Sequence, residues 1–171
     1  VKDIALTYHL VEGGGAKAEN VEISLSTDKI RVSGSEAALD LMGDQLVVGT
    51  IDLSEVASNM NKTFPIPLEE GITNLTGISE VTATITLKGL STKEFQISQI
   101  TPVNVPDGLE VELITQVLNL RVRGPVDQIA RLKLGDVRVV VDFTGAEIGT
   151  TTFPVRAVFT DGFRDVGILG T

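Results

Sequence analysis

Leu120–Leu132 reads LRVRGPVDQIARL, and Ile30–Met42, 90 positions earlier, reads IRVSGSEAALDLM. Each runs aliphatic, Arg, Val, polar, Gly, and then a stretch with aliphatics three or four apart. The same offset keeps matching downstream. Asp52 in TIDLS falls on Asp142 in VVDFT, Phe64-Pro65 meets Phe153-Pro154 after a slip of one residue, and Gly77-Ile78 meets Gly167-Ile168. Chance similarity fades with distance, whereas a duplicated unit keeps its period. The chain therefore reads as two tandem units, 1–90 and 91–171. Units of this size can bury a core of their own, with modest stability in reserve.

Within a unit the pattern is mainly β. In Thr82–Lys88, TATITLK, the residues Ala83, Ile85 and Leu87 alternate with threonines and a lysine, as in a strand with one buried face. Period two also fits Ile30–Gly34, Val47–Leu53, Leu120–Gly124, Val137–Phe143 and Phe153–Phe159. Ser35–Met42 and Pro125–Leu132 have the spacing of two-turn helices. Ser35 suits an N-cap, and Pro125 suits the first helical turn, where its missing N–H costs nothing. Gly13-Gly14-Gly15 and Val105-Pro106-Asp107-Gly108 are turn signals ahead of equivalent strands expected at Val21–Ile23 and Val111–Leu113. The first unit ends around Gly89–Thr92, and Lys93–Ile100 opens the second. Thr171 aligns with Val81, so the second unit stops where the first begins its TATITLK strand. Its sheet is expected to show an uncovered edge, a template for self-association.

Composition narrows the function classes. Hydrophobic residues make up 42% of the chain but aromatics only 4%, so the core is aliphatic and suited to strands. Residues 1–90 carry 6 Lys+Arg against 13 Asp+Glu, and the remainder 8 against 10, so neither half offers a basic stripe and no nucleic-acid partner is expected. With no cysteine there is no disulfide framework, thiolate nucleophile or Cys-based metal site. The longest apolar runs fall far short of the ~20 residues that span a bilayer. Because the chain opens at Val1, it reads as an excised segment whose targeting or anchoring sequence lies elsewhere.

The catalytic inventory is thin. His9 is the single histidine, has no counterpart in the other unit, and reads as an exposed or packing residue. Gly13–Gly15 lacks the Lys-Ser/Thr of a phosphate loop and reads as a turn. Asp52 and Asp142 are repeated, but a glycosidic pair would require both carboxylates to converge. The structural reading is that each ends a strand and accepts bonds from the amides of the following turn, Ser54-Glu55 and Thr144-Gly145. Arg31 and Arg121 are repeated as well, which suggests equivalent ion pairs Arg31–Asp52 and Arg121–Asp142. Asn61-Lys62-Thr63 and Asn74-Leu75-Thr76 match a sequon that arises often by chance. Sugar binding would call for exposed Trp or Tyr, and only Tyr8 is present. No cofactor, metal or catalytic residue is expected. Arg31, Gly34, Asp52, Arg121, Gly124, Pro125 and Asp142 read as hallmarks of the fold, not as a site.

The order of these pieces, seen twice, resembles the YbbR-like domain: IRVSG with TIDLS, and LRVRGP with VVDFTG followed by Gly149. The stretch NVPDGLEVEL, residues 104–113, is similar to the family's usual lead-in. The first unit departs from the pattern at Ser35, where the second has Pro125, and at Glu55, where the second has Gly145. The resemblance implies a small β-rich domain with one or two short helices, similar to the C-terminal domain of a bacterial ribosomal protein. It further implies tandem domains outside the cytoplasmic membrane of a bacterium, in a parent tethered by one N-terminal membrane helix absent from this segment. There, the family regulates a membrane-bound diadenylate cyclase, the source of cyclic di-AMP, and has no known catalytic residues. The function so implied is a non-catalytic extracytoplasmic module acting by protein contact. The alternative is a cell-wall glycan or envelope-ligand binding module or spacer.

Overall fold

The computed structural model describes residues 1–170. Strands dominate and helices are few and short. The chain divides into two compact units. The first holds Val1–Gly13 and Lys17–Lys88, and the second Gly14–Ala16 and the chain from Gly89 onward.

In the first unit the strands are β1 (Lys2–Val11), β2 (Val21–Leu25), β3 (Lys29–Ser33), β4 (Gln45–Asp52), β5 (Met60–Pro65), β6 (Thr73–Asn74) and β7 (Glu80–Leu87), with the helix α1 (Glu36–Met42) between β3 and β4. They form a four-stranded sheet in the order β4-β1-β3-β6 and a three-stranded sheet β2-β7-β5. Strand β1 serves two partners in turn. Its first half runs antiparallel to β3, with Ile4 opposite Ile30, and its second half runs parallel to β4, with Val11 opposite Asp52. The partner changes at Ala5, and the register of the β1–β4 ladder then shifts between Thr7 and His9. The alternating aliphatics close the core: Ile4, Ile30, Val32, Ile51, Leu53, Val81, Ala83 and Ile85 are almost completely buried.

The second unit contains β8 (Leu90–Ile97), β9 (Ile100–Val103), β10 (Leu118–Pro125), β11 (Val137–Asp142), β12 (Val155–Phe159) and β13 (Gly167–Gly170), with the helix α2 (Val126–Arg131) after β10. Its two sheets are β13-β10-β8 and β12-β11-β9. Here β8 runs antiparallel to β10 and β9 parallel to β11, so the two together reproduce β1. The chain breaks at Ser98-Gln99, the point where β1 shifts register. A single bent strand in one unit is thus two strands in the other. Ile97, Leu120, Val122, Ile129, Leu132, Val137, Val139, Phe163 and Val166 form the core between them.

The two helices follow β3 and β10 as expected. The Ser35 Oγ accepts from the Ala38 amide at 3.2 Å and caps α1. Pro125 lies one residue earlier than its composition suggests. It is extended (φ −52°, ψ 139°), occupies the N-cap position and still faces Leu90 as the last residue of β10.

Three sequence expectations are corrected. First, Val111–Leu113 is not a strand. Its counterpart β2 pairs with β7, and among the described residues the second unit contains no strand in the place of β7 to pair with it. Second, Gly167-Ile168 does not correspond to Gly77-Ile78. Val122 faces Ile168 as Val32 faces Asn74, so the structural counterpart of Thr73-Asn74 is Gly167-Ile168, and the returning segment of the second unit is longer. Third, the strand expected over Phe153–Phe159 begins only at Val155. In the first unit the Phe64 ring lies over Gly49, so close that a Cβ there would stand 2.4 Å from it. The equivalent of Gly49 is the fully buried Val139, whose side chain takes that room, and Phe153 instead packs edge-on against Phe143 with ring centroids 4.8 Å apart. Strand β12 pairs with β11, Val137 opposite Phe159, and among the described residues no strand lies on its other side. Thr171, which the repeat aligns with Val81, lies outside the described residues.

Candidate functional site

Asp52 and Asp142 end β4 and β11 and occupy the same turn in each unit. The Asp52 Oδ1 accepts from the Ser54 amide at 2.9 Å and the Ser54 hydroxyl at 2.6 Å. The Asp142 Oδ1 accepts from the Thr144 amide at 2.9 Å and the Thr144 hydroxyl at 2.6 Å. A carboxylate two residues before a hydroxyl amino acid closes such a turn with its own oxygen. The bonds come from the residue two positions on, not also from Glu55 or Gly145. The Ser54 hydroxyl, and then its amide, hold the Asp52 carboxyl below the usual carboxylate range. The Thr144 hydroxyl, its amide and then the Asn104 side chain do the same for Asp142. A general acid in glycoside hydrolysis needs the opposite shift. Neither aspartate is built for that role.

These lowered values carry a stability consequence. A carboxyl whose pKa is lower folded than unfolded contributes stability above its unfolded pKa, and that contribution disappears as pH falls through the folded value. The double substitution of Asp52→Asn and Asp142→Asn is therefore expected to lower the urea midpoint at neutral pH. The gap to the parent should shrink as pH drops below the carboxylate range. A gap that stays constant with pH would show that the turns do not depend on charge.

The ion pairs differ from those the repeat suggests. Arg31 does not reach Asp52. Its Nε donates to Asp3 Oδ1 at 2.8 Å, across the β1–β3 ladder in which the two residues face each other. Arg121 does not reach Asp142. It pairs with Glu94 at 3.1 Å, across β8–β10, again directly opposite. The reason is geometric, because directly opposed cross-strand residues hold their Cβ atoms ~5 Å apart, within easy reach of an arginine. The duplicated pair is thus Arg31–Asp3 and Arg121–Glu94, both exposed, and both fasten the leading strand to the hallmark strand.

The same leading strands carry a second duplicated contact that the sequence reading missed. The Lys2 Nζ donates to the Leu39 carbonyl of α1 at 3.4 Å, and the Lys93 Nζ to the Leu132 carbonyl at the end of α2 at 2.6 Å. Carbonyls in the last turn of a helix lack intrahelical donors and attract cations. The signal was present, because Lys2-Asp3-Ile4 and Lys93-Glu94-Phe95 repeat the order lysine, acid, hydrophobe.

Gly34 and Gly124 are repeated for a steric reason. A Cβ on Gly34 would come within 2.8 Å of the Ile72 side chain and 3.1 Å of the Gly71 carbonyl oxygen. On Gly124 it would meet the Val166 side chain at 2.9 Å and its Cα at 3.1 Å. In each unit the strand before the helix is crossed closely by the returning segment, and only glycine leaves the space.

His9 lies exposed on β1. A cavity of about 370 Å³ in the first unit is lined by Val1, Lys2, Gly34, Glu36, Leu39 and Asp40. A smaller one of about 220 Å³ lies beside Asp52, with Glu55 and Lys62 on its wall. Among the described residues no group of three or more His, Cys, Asp or Glu is arranged to hold a metal ion. No described helix is long and apolar enough to cross a membrane. Arg123, the one buried charged residue among the described residues, stands where the first unit has Ser33 and donates from Nε to the Gly14 carbonyl at 2.8 Å. Burial pushes its pKa down, and a guanidinium remains charged all the same.

No family model matches the chain, and no curated protein matches it. Two solved structures are similar to it. One is the solution structure of SuR18C from Streptococcus thermophilus, 26% identical over 51% of this chain and 84% of that one, with a TM-score of 0.38. The other is the crystal structure of a YbbR-like protein from Streptococcus pneumoniae, 13% identical over 95% of this chain and 83% of that one, with a TM-score of 0.30.

Proposed function

We propose that the chain is a non-catalytic interaction module: two YbbR-like domains of a membrane-tethered bacterial protein, placed outside the cytoplasmic membrane and acting by contact on a membrane diadenylate cyclase. The observation that carries the non-catalytic part is the fate of the repeated polar residues. Asp52 and Asp142 close turns, Arg31 and Arg121 tie strands together, and Lys2 and Lys93 cap helices. Each is held by a structural contact within the unit that carries it, including Lys2 and Asp52, which also line the two cavities. The cyclase and the tether come from the resemblance of the repeated motifs. Regulation by contact requires that the module bind two states of the cyclase with different affinity, since equal affinity shifts nothing.

The experiment measures cyclic di-AMP formed by membranes that contain the cyclase and the tethered parent, against a parent lacking these two units but keeping its anchor. A changed output at equal protein level is the expected result. An unchanged output would remove the regulatory role from these units and favour a spacer.

A further inference from the structure

Met60 opens β5 directly opposite Ile85 of β7, so its side chain lies on the inward face of that sheet, where Ile85 is completely buried. Lys62 and Phe64 follow on the same face, opposite Ala83 and Val81. Phe64 is sealed in the core, whereas Met60 remains 38% exposed. The reason is the cavity of about 220 Å³ beside it, which Met60 lines together with Ile51, Val56 and Lys62. Ile51 and Val56 are buried, so the thioether borders core aliphatics and solvent at once. The chain has no cysteine and one other methionine, Met42, which ends α1, is half-buried and lines neither of the two cavities.

We infer that Met60 is an oxidation site, and that its conversion to the sulfoxide by a hydroperoxide loosens the β5–β7 edge of the first unit. The sulfur lone pair attacks the terminal peroxide oxygen, the O–O bond breaks and an S–O bond forms. Sulfur gives up two electrons, and the proton of the transferred oxygen passes to the departing oxygen, which leaves as water or an alcohol. Susceptibility follows exposure, and the cavity gives the peroxide an approach and the new oxygen a place. The product is polar where the parent side chain was apolar, so contact of its oxygen with Ile51, Val56 and Ile85 is unfavourable. Lys62, two residues on and about 7 Å along the strand, donates from Nζ to the Thr50 carbonyl of β4 at 3.3 Å. The sulfoxide oxygen either turns to solvent and takes the side chain off the core, or draws Lys62 away from β4. A contact that closes the unit weakens in both cases. The inference does not depend on the cyclase, so the two readings fail separately.

The test treats the chain with hydrogen peroxide at a dose that adds one oxygen atom per molecule, locates that oxygen by peptide mapping, and follows amide hydrogen exchange. The expected result is oxygen on Met60 ahead of Met42, with the amides of 60–64 and 81–87 exchanging about tenfold faster and those of β10 and β11 unchanged. Methionine sulfoxide reductase should restore the parent rates. Met60→Leu keeps the volume and the apolar character, so it should exchange like the parent and show no acceleration after the same treatment. Oxygen found first on Met42 would overturn the inference. So would a Met60 sulfoxide with unaltered exchange, or the same acceleration in Met60→Leu.

Discussion

Ile85→Ala is expected to unfold the first unit at a markedly lower urea concentration while leaving the transition of the second unit in place. Ile85 is completely buried in the middle of β7, with Ile23 opposite it on one side and Met60 on the other. Truncating a fully buried isoleucine to alanine costs about 2–5 kcal/mol, as the lost transfer energy and the cavity left behind add together. Small domains hold only ~5–15 kcal/mol in total, and a unit of this size lies toward the low end. Tyr8 provides the readout: it is the only tyrosine, no tryptophan competes with it, and it lies on β1 of the first unit. Ile114→Ala is the control. Its side chain is 78% exposed, so the change should stay within about 0.5 kcal/mol. A Tyr8 midpoint unmoved by Ile85→Ala would mean that β7 does not hold the first core together.

Gly49→Val should be nearly as disruptive, and for the opposite reason. The Phe64 ring occupies the space above Gly49, and even a Cβ would lie 2.4 Å from one ring carbon and 2.5 Å from another. Phe64 is itself buried, with its neighbour Pro65 still paired to β7, so the ring cannot step aside without opening the β5–β7 ladder. Overpacking of this kind typically costs 1–3 kcal/mol, and the broken ladder raises the figure toward about 3 kcal/mol. The second unit shows the rearranged alternative: with Val139 at this position, the equivalent phenylalanine has left the strand. Phe64→Ala should therefore cost much less in the Gly49→Val background than in the parent, since the ring has already been displaced. A double-mutant cycle on the Tyr8 transition measures that coupling. Additive effects would show that the ring and the new side chain do not compete.

Taken alone, the amino-acid order determined the mainly β class, the two short helices and the strands that lead into them. Local physics accounts for that success. Period-two alternation, a serine ahead of a helical stretch, and an aspartate two residues before a hydroxyl amino acid all act over a few residues and can be read in place. Gly34 and Gly124 were visible as repeated residues, but their reason was not, since it lies in Ile72 and Val166, far along the chain. Pairing was decided by the tertiary structure. The partners of Arg31 and Arg121 depended on which strand lies opposite, and β1 and β8, unread in the sequence, are those strands. Val111–Thr115 carries the composition of β2 and is not a strand, because a strand needs a neighbour to satisfy its amides and carbonyls. The neighbour is β7 in the first unit, and the second contains none among the described residues. Side-chain preference is a property of a segment, whereas a ladder is a property of two, and only the folded chain states which two meet.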